Sequence, residues 1–499
     1  MLRYLHDLWN DADVKALGGD ELEILRYRSN LLGADLRITN FGGGNTSSKY
    51  TVSDPLTGNP VKVMAVKGSG GDLGSIKRGG FAVLYMDRLL QLEAVYRGEE
   101  YEDEMVGLYP GCAFVGNGVA TSIDTPLHGF LPFDHVDHLH PDWAIAMAAS
   151  RNGKQRMEEF NKRYNHQLVW LPWQRPGFEL GLMLRQAVKE NPGCDGIVLG
   201  SHGLFTWGAT QRESYINSVT VIDQMGEMVQ ELGAGKKLFG GPRVQSRTDA
   251  AEVAASILPV VRGRVGKSKR SIAHFDGAAE ALEFINSADA ARLASLGTSC
   301  PDHFLRTRIS PLLVDWNPQT SDLAGLEKAL DAGLEQYRKD YVAYYEANKE
   351  EGSPACRDQN PTVVLIPGVG MVSFGRSKKE ARITGEFYRN AIRVMAGATG
   401  MASDGGDSDP LPHAKYPELA KNFDTHNNYV SLPRREAFRI EYWALEEAKL
   451  RRMPPEAEFS RRIILVVGGG SGIGRSTALK LAAGGAHLMI ADLNAESAA

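Results

Sequence analysis

Three observations predict an α/β fold for this 499-residue chain. Apolar runs of strand length alternate with Gly-rich turns and amphipathic stretches from about residue 20 to about residue 235. Residues 198–208 are echoed by residues 364–375, and a charged turn and a helical stretch follow each copy. A third strand-turn-helix opens at Ile463 and runs into the phrase Gly468-Gly469-Gly470-Ser471-Gly472-Ile473-Gly474.

The first helix is predicted over 21–32, where Leu22, Ile24, Leu25, Leu31 and Leu32 form an apolar stripe. A Gly-rich loop at 42–48, a strand over 61–66 and a second loop at 67–71 come next. In Ser122-Ile123-Asp124-Thr125-Pro126-Leu127-His128 the spacing predicts a short helix, with Ser122 as its cap and Pro126 in its first turn. Asp124 and His128 would then share a face. A strand carries His138-Leu139-His140, and a buried strand over 196–200 breaks just before His202. A helix over 211–230 closes the first unit, and 233–269 is a connection around a short helix. In the echo, allowing one inserted residue, Val369 falls where His202 stands, which predicts a second α/β lobe without a metal ligand. The helices that follow the two copies are expected over 212–228 and 378–395. A loop is expected at 404–412 and a helix over 438–453, which Pro454-Pro455 ends. The last elements are a strand over 463–467, a helix over 475–483 and a strand over 486–491.

Composition narrows the function. The chain is 43% hydrophobic and 23% charged, as globular proteins are, and its formal charge of −5 leaves no footprint for nucleic acid or an acidic membrane. No apolar run approaches the roughly 18 residues of a membrane span. The first nine residues are amphipathic and unlike a secretory signal. Cys112, Cys194, Cys300 and Cys356 are scattered without a paired motif, so reduced thiols and a cytoplasmic protein are expected.

In a strand, positions i and i+2 face the same way, so His138 and His140 present their imidazoles side by side. With His202 from another strand end they form a three-His set that leaves a coordination position for substrate, as an open zinc site requires. The alternative is a pair of hydrogen-bonded strand histidines. Asp124 is a candidate general acid or base, with Glu102 and Glu104 as the alternative carboxylates. The two Gly-rich loops offer backbone N–H groups, hydroxyls and Lys67 to a phosphate.

In this order, Gly44-Asn45-Thr46-Ser47, Ser69-Gly70, Ser122-Ile123-Asp124, His138-Leu139-His140 and Ser201-His202-Gly203 resemble the pattern of the class II aldolase/adducin family over residues 20–235. The longer chain is most similar to the bifunctional rhamnulose-1-phosphate aldolase/short-chain dehydrogenases, through 297–305 and Glu441-Tyr442-Trp443-Ala444-Leu445-Glu446. The resemblance implies a class II aldolase-like α/β/α layered fold. Zinc, or another divalent ion, would sit on His138, His140 and His202. Asn45, Ser69, Gly70 and Ser122 would bind phosphate, and Asp124 would act where better-known sugar-phosphate aldolases carry Glu. The implied reaction is cleavage of rhamnulose 1-phosphate to dihydroxyacetone phosphate and lactaldehyde by a homo-oligomer. An epimerase or dehydratase on the same fold, and a non-catalytic adducin-like module, are the alternatives.

The last phrase carries a nucleotide fingerprint: Gly468, Gly472 and Gly474 for the pyrophosphate and Asp492 for the ribose, favouring NAD. The Ser and Tyr-x-x-x-Lys of short-chain dehydrogenases do not follow. An incomplete Rossmann β-α-β is therefore expected, with NAD bound only in the complete protein. The expected segments are 1–240 (aldolase-like), 241–430 (second lobe), 431–460 (connecting helix and linker) and 461–499 (truncated dehydrogenase).

Overall fold

The computed structural model describes residues 2–403, 428–443 and 455–498. It is an α/β protein, and its chain divides into two compact units that do not follow sequence order. One comprises Met1–Leu238, Thr298–Asp302 and Arg393–Glu436, the other Phe239–Gly297, His303–Ile392 and Ala437–Ala499.

The first unit is built on a seven-stranded sheet: β1 (Asn45–Ser53), β2 (Pro60–Lys67), β3 (Phe81–Tyr85), β4 (His135–Leu139), β5 (Leu168–Leu171), β6 (Gly196–Leu199) and β7 (Gly203–Gly208). Their order is β3-β2-β1-β4-β7-β6-β5, and only β5 and β6 run parallel. Side chains alternate across the pleat. Leu139, Val198 and Leu204 pack on the face covered by helices Asp142–Ala148 and Gln211–Gly233. Val136, Ile197, Leu199, Phe205 and Trp207 pack on the opposite face, against helices Thr125–Gly129 and Phe178–Glu190.

Within β4 the alternation separates two kinds of chemistry. Asp137 points toward helix Gln211–Gly233, accepting hydrogen bonds from Ser214 Oγ at 2.7 Å and Ser218 Oγ at 2.9 Å. Arg28, on helix Glu21–Gly33, reaches the same carboxylate with Nε at 3.2 Å; both side chains are fully buried. His138 takes the other face, stacked on Phe205 with ring centroids 4.2 Å apart.

The second unit holds a four-stranded sheet of β8 (Ile272–Asp276), β9 (Leu312–Leu313), β10 (Val363–Ile366) and β11 (Gly370–Gly375) in the order β8-β11-β10-β9. It reproduces the β4-β7-β6-β5 half of the first sheet, strand direction for strand direction. The two hairpins close on the same backbone bond, His202 N to Leu199 O at 3.1 Å and Val369 N to Ile366 O at 3.0 Å. A left-handed residue precedes each donor: Ser201 at φ 52° and Gly368 at φ 74°. Helices of 23 residues follow, Gln211–Gly233 and Lys378–Gly400. The inserted residue expected in the echo is not needed: Leu199 pairs with Gly203 and Ile366 with Gly370, so the turns have equal length. On this registration the positions of His138, His140 and His202 are held by Phe275, Gly277 and Val369.

Two expected helices differ. The helix expected from Ser122 spans Thr125–Gly129, with Asp124 at its N-cap position, so Asp124 and His128 do not share a helix face. Pro126 fixes that start: it has no N–H to give and is tolerated only in the first turn. The helix expected over 438–453 is seen as Arg434–Glu441, beginning after Pro433; residues 444–453 and the loop expected at 404–412 lie outside the described residues. Near the C-terminus, β12 (Ile463–Val467) and β13 (His487–Ala491) pair in parallel beside helix Gly472–Ala483. Ile463, Leu465, Val467 and Met489 leave one face of that pair exposed. All four cysteines are free thiols, and no described helix is long and apolar enough to cross a membrane.

Replacing Asp137 by Ala strands the Arg28 guanidinium in the core, at a cost of about 3–5 kcal/mol. Urea unfolding followed by circular dichroism should show a loss of that size. A loss below about 1 kcal/mol would mean that the pair does not anchor β4.

Candidate metal centre

The centre forms where β4 ends beside the β6–β7 turn. His138 is the penultimate residue of β4 and His140 lies one residue beyond the strand. His202 sits in the three-residue turn that Ser201 opens with a positive φ. Ring centroids are 4.7 Å apart for His138 and His140, 4.8 Å for His138 and His202, and 5.1 Å for His140 and His202. The Nε2 atoms of His138 and His140 approach to 3.1 Å, close to the ~3.3 Å expected of two nitrogens on one tetrahedral ion at about 2.0–2.1 Å each. All three rings are buried, and their ligand atoms lie within 4.8 Å of one another. The backbone explains the approach. Gly44 has φ +69°, and a Cβ there would come within 2.6 Å of the His138 carbonyl oxygen.

Burial holds His138 well below the usual imidazole range, and the neighbouring rings push it further down. Burial and then His140 bring His202 down to about 3. Both rings therefore keep the neutral form that a metal ligand needs. Burial works against charge on His140 too, but the Asp302 carboxylate at its Nδ1 outweighs burial and raises it. The Nδ1 atoms of His138 and His202 are buried without a hydrogen-bond partner among the described residues. Three convergent imidazoles with neutral forms favoured on two of them fit a divalent cation.

Asn45 connects this cluster to the candidate acid/base. In the β1–β4 ladder it stands opposite His138, and its side-chain amide donates to Asp124, with Ser122 Oγ 3.5 Å from the same nitrogen. Ser122 Oγ also donates to the Asp124 carboxylate at 3.2 Å and accepts from the Asp124 backbone N–H at 3.3 Å. Asn45, Ser122 and Asp124 are thus together, as the motif order suggested. The resemblance implied a phosphate contact for Asn45, and in the structure its side-chain nitrogen donates to Asp124. Ser69 and Gly70 sit on the neighbouring loop, with Ser69 N–H donating to Ala120 O at 2.9 Å. Lys67 Nζ ties that loop inward by donating to Gly71 O at 2.8 Å. The alternative carboxylates have other work. Glu102 receives the N–H groups of Phe178 and Glu179 at the start of helix Phe178–Glu190, and Glu104 pairs with Arg97.

Several neighbours were not legible as site residues. Asp302 meets His140, and the Cys300 thiol lies 3.6 Å from the His202 carbonyl oxygen. The Trp173 ring stands 6.2 Å from His202, its Nε1 donating to Glu436 at 3.0 Å. His128, a buried fourth imidazole, is held by Ser47 Oγ at 2.8 Å with its ring 6.4 Å from His138. His128 ends the Ser122–His128 phrase, and Cys300 and Asp302 lie in the 297–305 phrase, but none of the three was assigned to the site. The others come from segments that no spacing rule connects to the His pair.

The comparisons with known proteins meet this geometry. Residues 26–226 match the family model described as Class II Aldolase and Adducin N-terminal domain, which contains every residue just placed around the His cluster up to His202. Residues 252–450 match the model described as Aldolase class II, second domain. Among curated proteins, the chain is 38% identical over 96% of its length to an uncharacterized oxidoreductase, YuxG, of Bacillus subtilis (strain 168), and spans 65% of that relative's length. Among solved structures, it resembles an N-terminal class II aldolase domain from Thermoplasma acidophilum at 27% identity and a TM-score of 0.39, covering 46% of this chain and 99% of that one. A sugar-phosphate aldolase from Thermotoga maritima gives 14% identity and 0.33, with 44% and 98% covered. In the C-terminal β-α-β, Asp492 Oδ2 accepts from the Gly470 N–H at 2.9 Å, and Gly468, Gly472 and Gly474 line the turn and the helix start.

Gly44→Ala forces a side chain into the left-handed region and against β4. The strain is about 1–2 kcal/mol, which lowers the thermal midpoint by about 2–8 °C in calorimetry. An unchanged midpoint would mean that this loop does not set the end of β4.

Proposed function

We propose that the chain is a metal-dependent lyase of the class II aldolase kind acting on a phosphorylated ketose, with rhamnulose 1-phosphate as the first substrate to test. The observation that supports this reading is the meeting of three buried imidazoles with Asp124 through Asn45, across one strand ladder. His138, His140 and His202 would hold one divalent ion, and zinc suits three neutral imidazoles. Bound there, such an ion supplies Lewis-acid polarisation of the substrate's carbonyl and hydroxyl oxygens.

The remaining work falls to the chain itself. Ser69, Gly70 and Ser122 seat the phosphate. Asn45 and Ser122 orient Asp124 by donating to its carboxylate. In cleavage, the carbon–carbon bond breaks and its electron pair stays with the three-carbon phosphate fragment. Asp124 gives that carbon a proton, while the hydroxyl of the other fragment loses its proton to solvent and that fragment leaves as an aldehyde, lactaldehyde for rhamnulose 1-phosphate. In the condensation direction the same carboxylate removes the proton. In the whole protein, Gly468, Gly472, Gly474 and Asp492 would hold NAD, which supplies a hydride acceptor for oxidising the hydrate of that aldehyde to the acid. Epimerisation on the same fold would leave the carbon skeleton intact, so release of triose phosphate and aldehyde from a panel of phosphorylated ketoses separates the two.

His202→Ala should remove bound metal and cleavage together while far-ultraviolet circular dichroism keeps its native form. A full metal complement by elemental analysis would take His202 out of the ligand set. Asp124→Asn should keep the metal and the substrate affinity yet lose turnover on the order of 10²-fold or more. Turnover equal to that of the unaltered chain would assign the proton to another group.

A further inference from the structure

We infer that Asp302 is a positioning residue for His140: it accepts the Nδ1 proton and thereby leaves Nε2 turned toward a divalent cation. The inference rests on the reading of His138, His140 and His202 as a metal site and adds a residue to it from outside residues 26–226.

The geometry is specific to one ring and one nitrogen. The Asp302 carboxylate meets His140 Nδ1, while Nε2 of the same ring faces His138 Nε2 at 3.1 Å. One edge of the imidazole is thus occupied by a carboxylate and the opposite edge belongs to the cluster. The His140 side chain is 5% exposed and that of Asp302 26%, so the contact is shielded from water at the histidine end. Among the described residues, His138 and His202 have no such support, since their Nδ1 atoms are buried without a hydrogen-bond partner there. A hydrogen bond at the outer nitrogen fixes tautomer and ring angle and raises the basicity of the inner one.

Asp302 stands in the first turn of helix Pro301–Thr307, and the segment leading into it is built in. Thr298, Ser299 and Cys300 are buried. Thr298 O accepts from Leu432 N at 3.1 Å, and Cys300 Sγ lies 3.6 Å from His202 O. The Gly-rich loop of the first domain makes room for it, because a Cβ on Gly43 would stand 2.3 Å from Asp302 Oδ2. Asp302 and Cys300 also form a group with His140 in which each offers a ligand atom. Direct ligation by Asp302 is the competing arrangement. It requires the carboxylate to leave His140 Nδ1, the nitrogen that it now holds.

The test uses the full chain, stripped of metal and titrated with Zn2+ against a chromophoric chelator, in three forms: unaltered, Asp302→Ala and Asp302→Asn. The Ala variant should bind Zn2+ about 10–100-fold more weakly. The Asn variant, which keeps an acceptor oxygen without the charge, should fall between. The metal-free melting points of all three should coincide, which a merely structural role for Asp302 would not give. Loaded with Co2+, the unaltered chain and the Asn variant should share one visible spectrum, because the ligands are the same. Zn2+ affinity of the Ala variant within twofold of the unaltered chain overturns the inference, and so does a changed Co2+ spectrum in the Asn variant, which would make Asp302 a ligand. Should the Ala variant fail to fold, the Asn variant decides by the same two readings. If the unaltered chain takes up no metal, the metal-site reading fails instead.

Discussion

The antiparallel register of β1, β4 and β7 is the constraint on which the rest of the first unit depends. It sets Asn45 opposite His138 and His138 opposite Phe205. Because side chains alternate, slipping β4 by one residue would turn its imidazole toward the Ser214 and Ser218 hydroxyls and drive Asp137 into the apolar layer beside Phe205. The buried Arg28–Asp137 pair resists that slip from one face, and the stack on Phe205 resists it from the other. The acid/base candidate inherits the same register, since Asp124 is held by the residue that faces His138.

What could be read from the sequence was what is local. The His-x-His spacing places two rings on one side of a strand, and the break before His202 marks a turn. The five motifs taken in order indicate the domain. The nucleotide-type turn at Gly468 was legible for the same reason, as a Gly-rich connection between a strand and a helix. Long-range closure was not legible. Asp302 lies 162 residues from His140 along the chain and Glu436 lies 263 from Trp173, and no periodicity carries information over such distances. The burial of Thr298–Cys300 brings the helix start at Asp302 home, and packing of that kind is a property of the assembled core.

Asn45 shows a subtler limit. The resemblance implied a phosphate contact for it. In the structure it is the first residue of β1, buried, and its side-chain amide donates to a neighbouring carboxylate. The residue type was informative, but its partner depended on which strand end it came to occupy. The helix after Asp124 makes the same point on a smaller scale, since Pro126 decided where that helix could begin.

The repeated half-sheet of the second unit bears on what the imidazoles of the first are for. There the same strand order, hairpin turn and 23-residue helix stand with Phe275, Gly277 and Val369 where the first unit has imidazoles. The hairpin closes on the same backbone bond with Val369 in the turn as with His202, so this strand order and turn do not themselves call for a ring at any of the three positions.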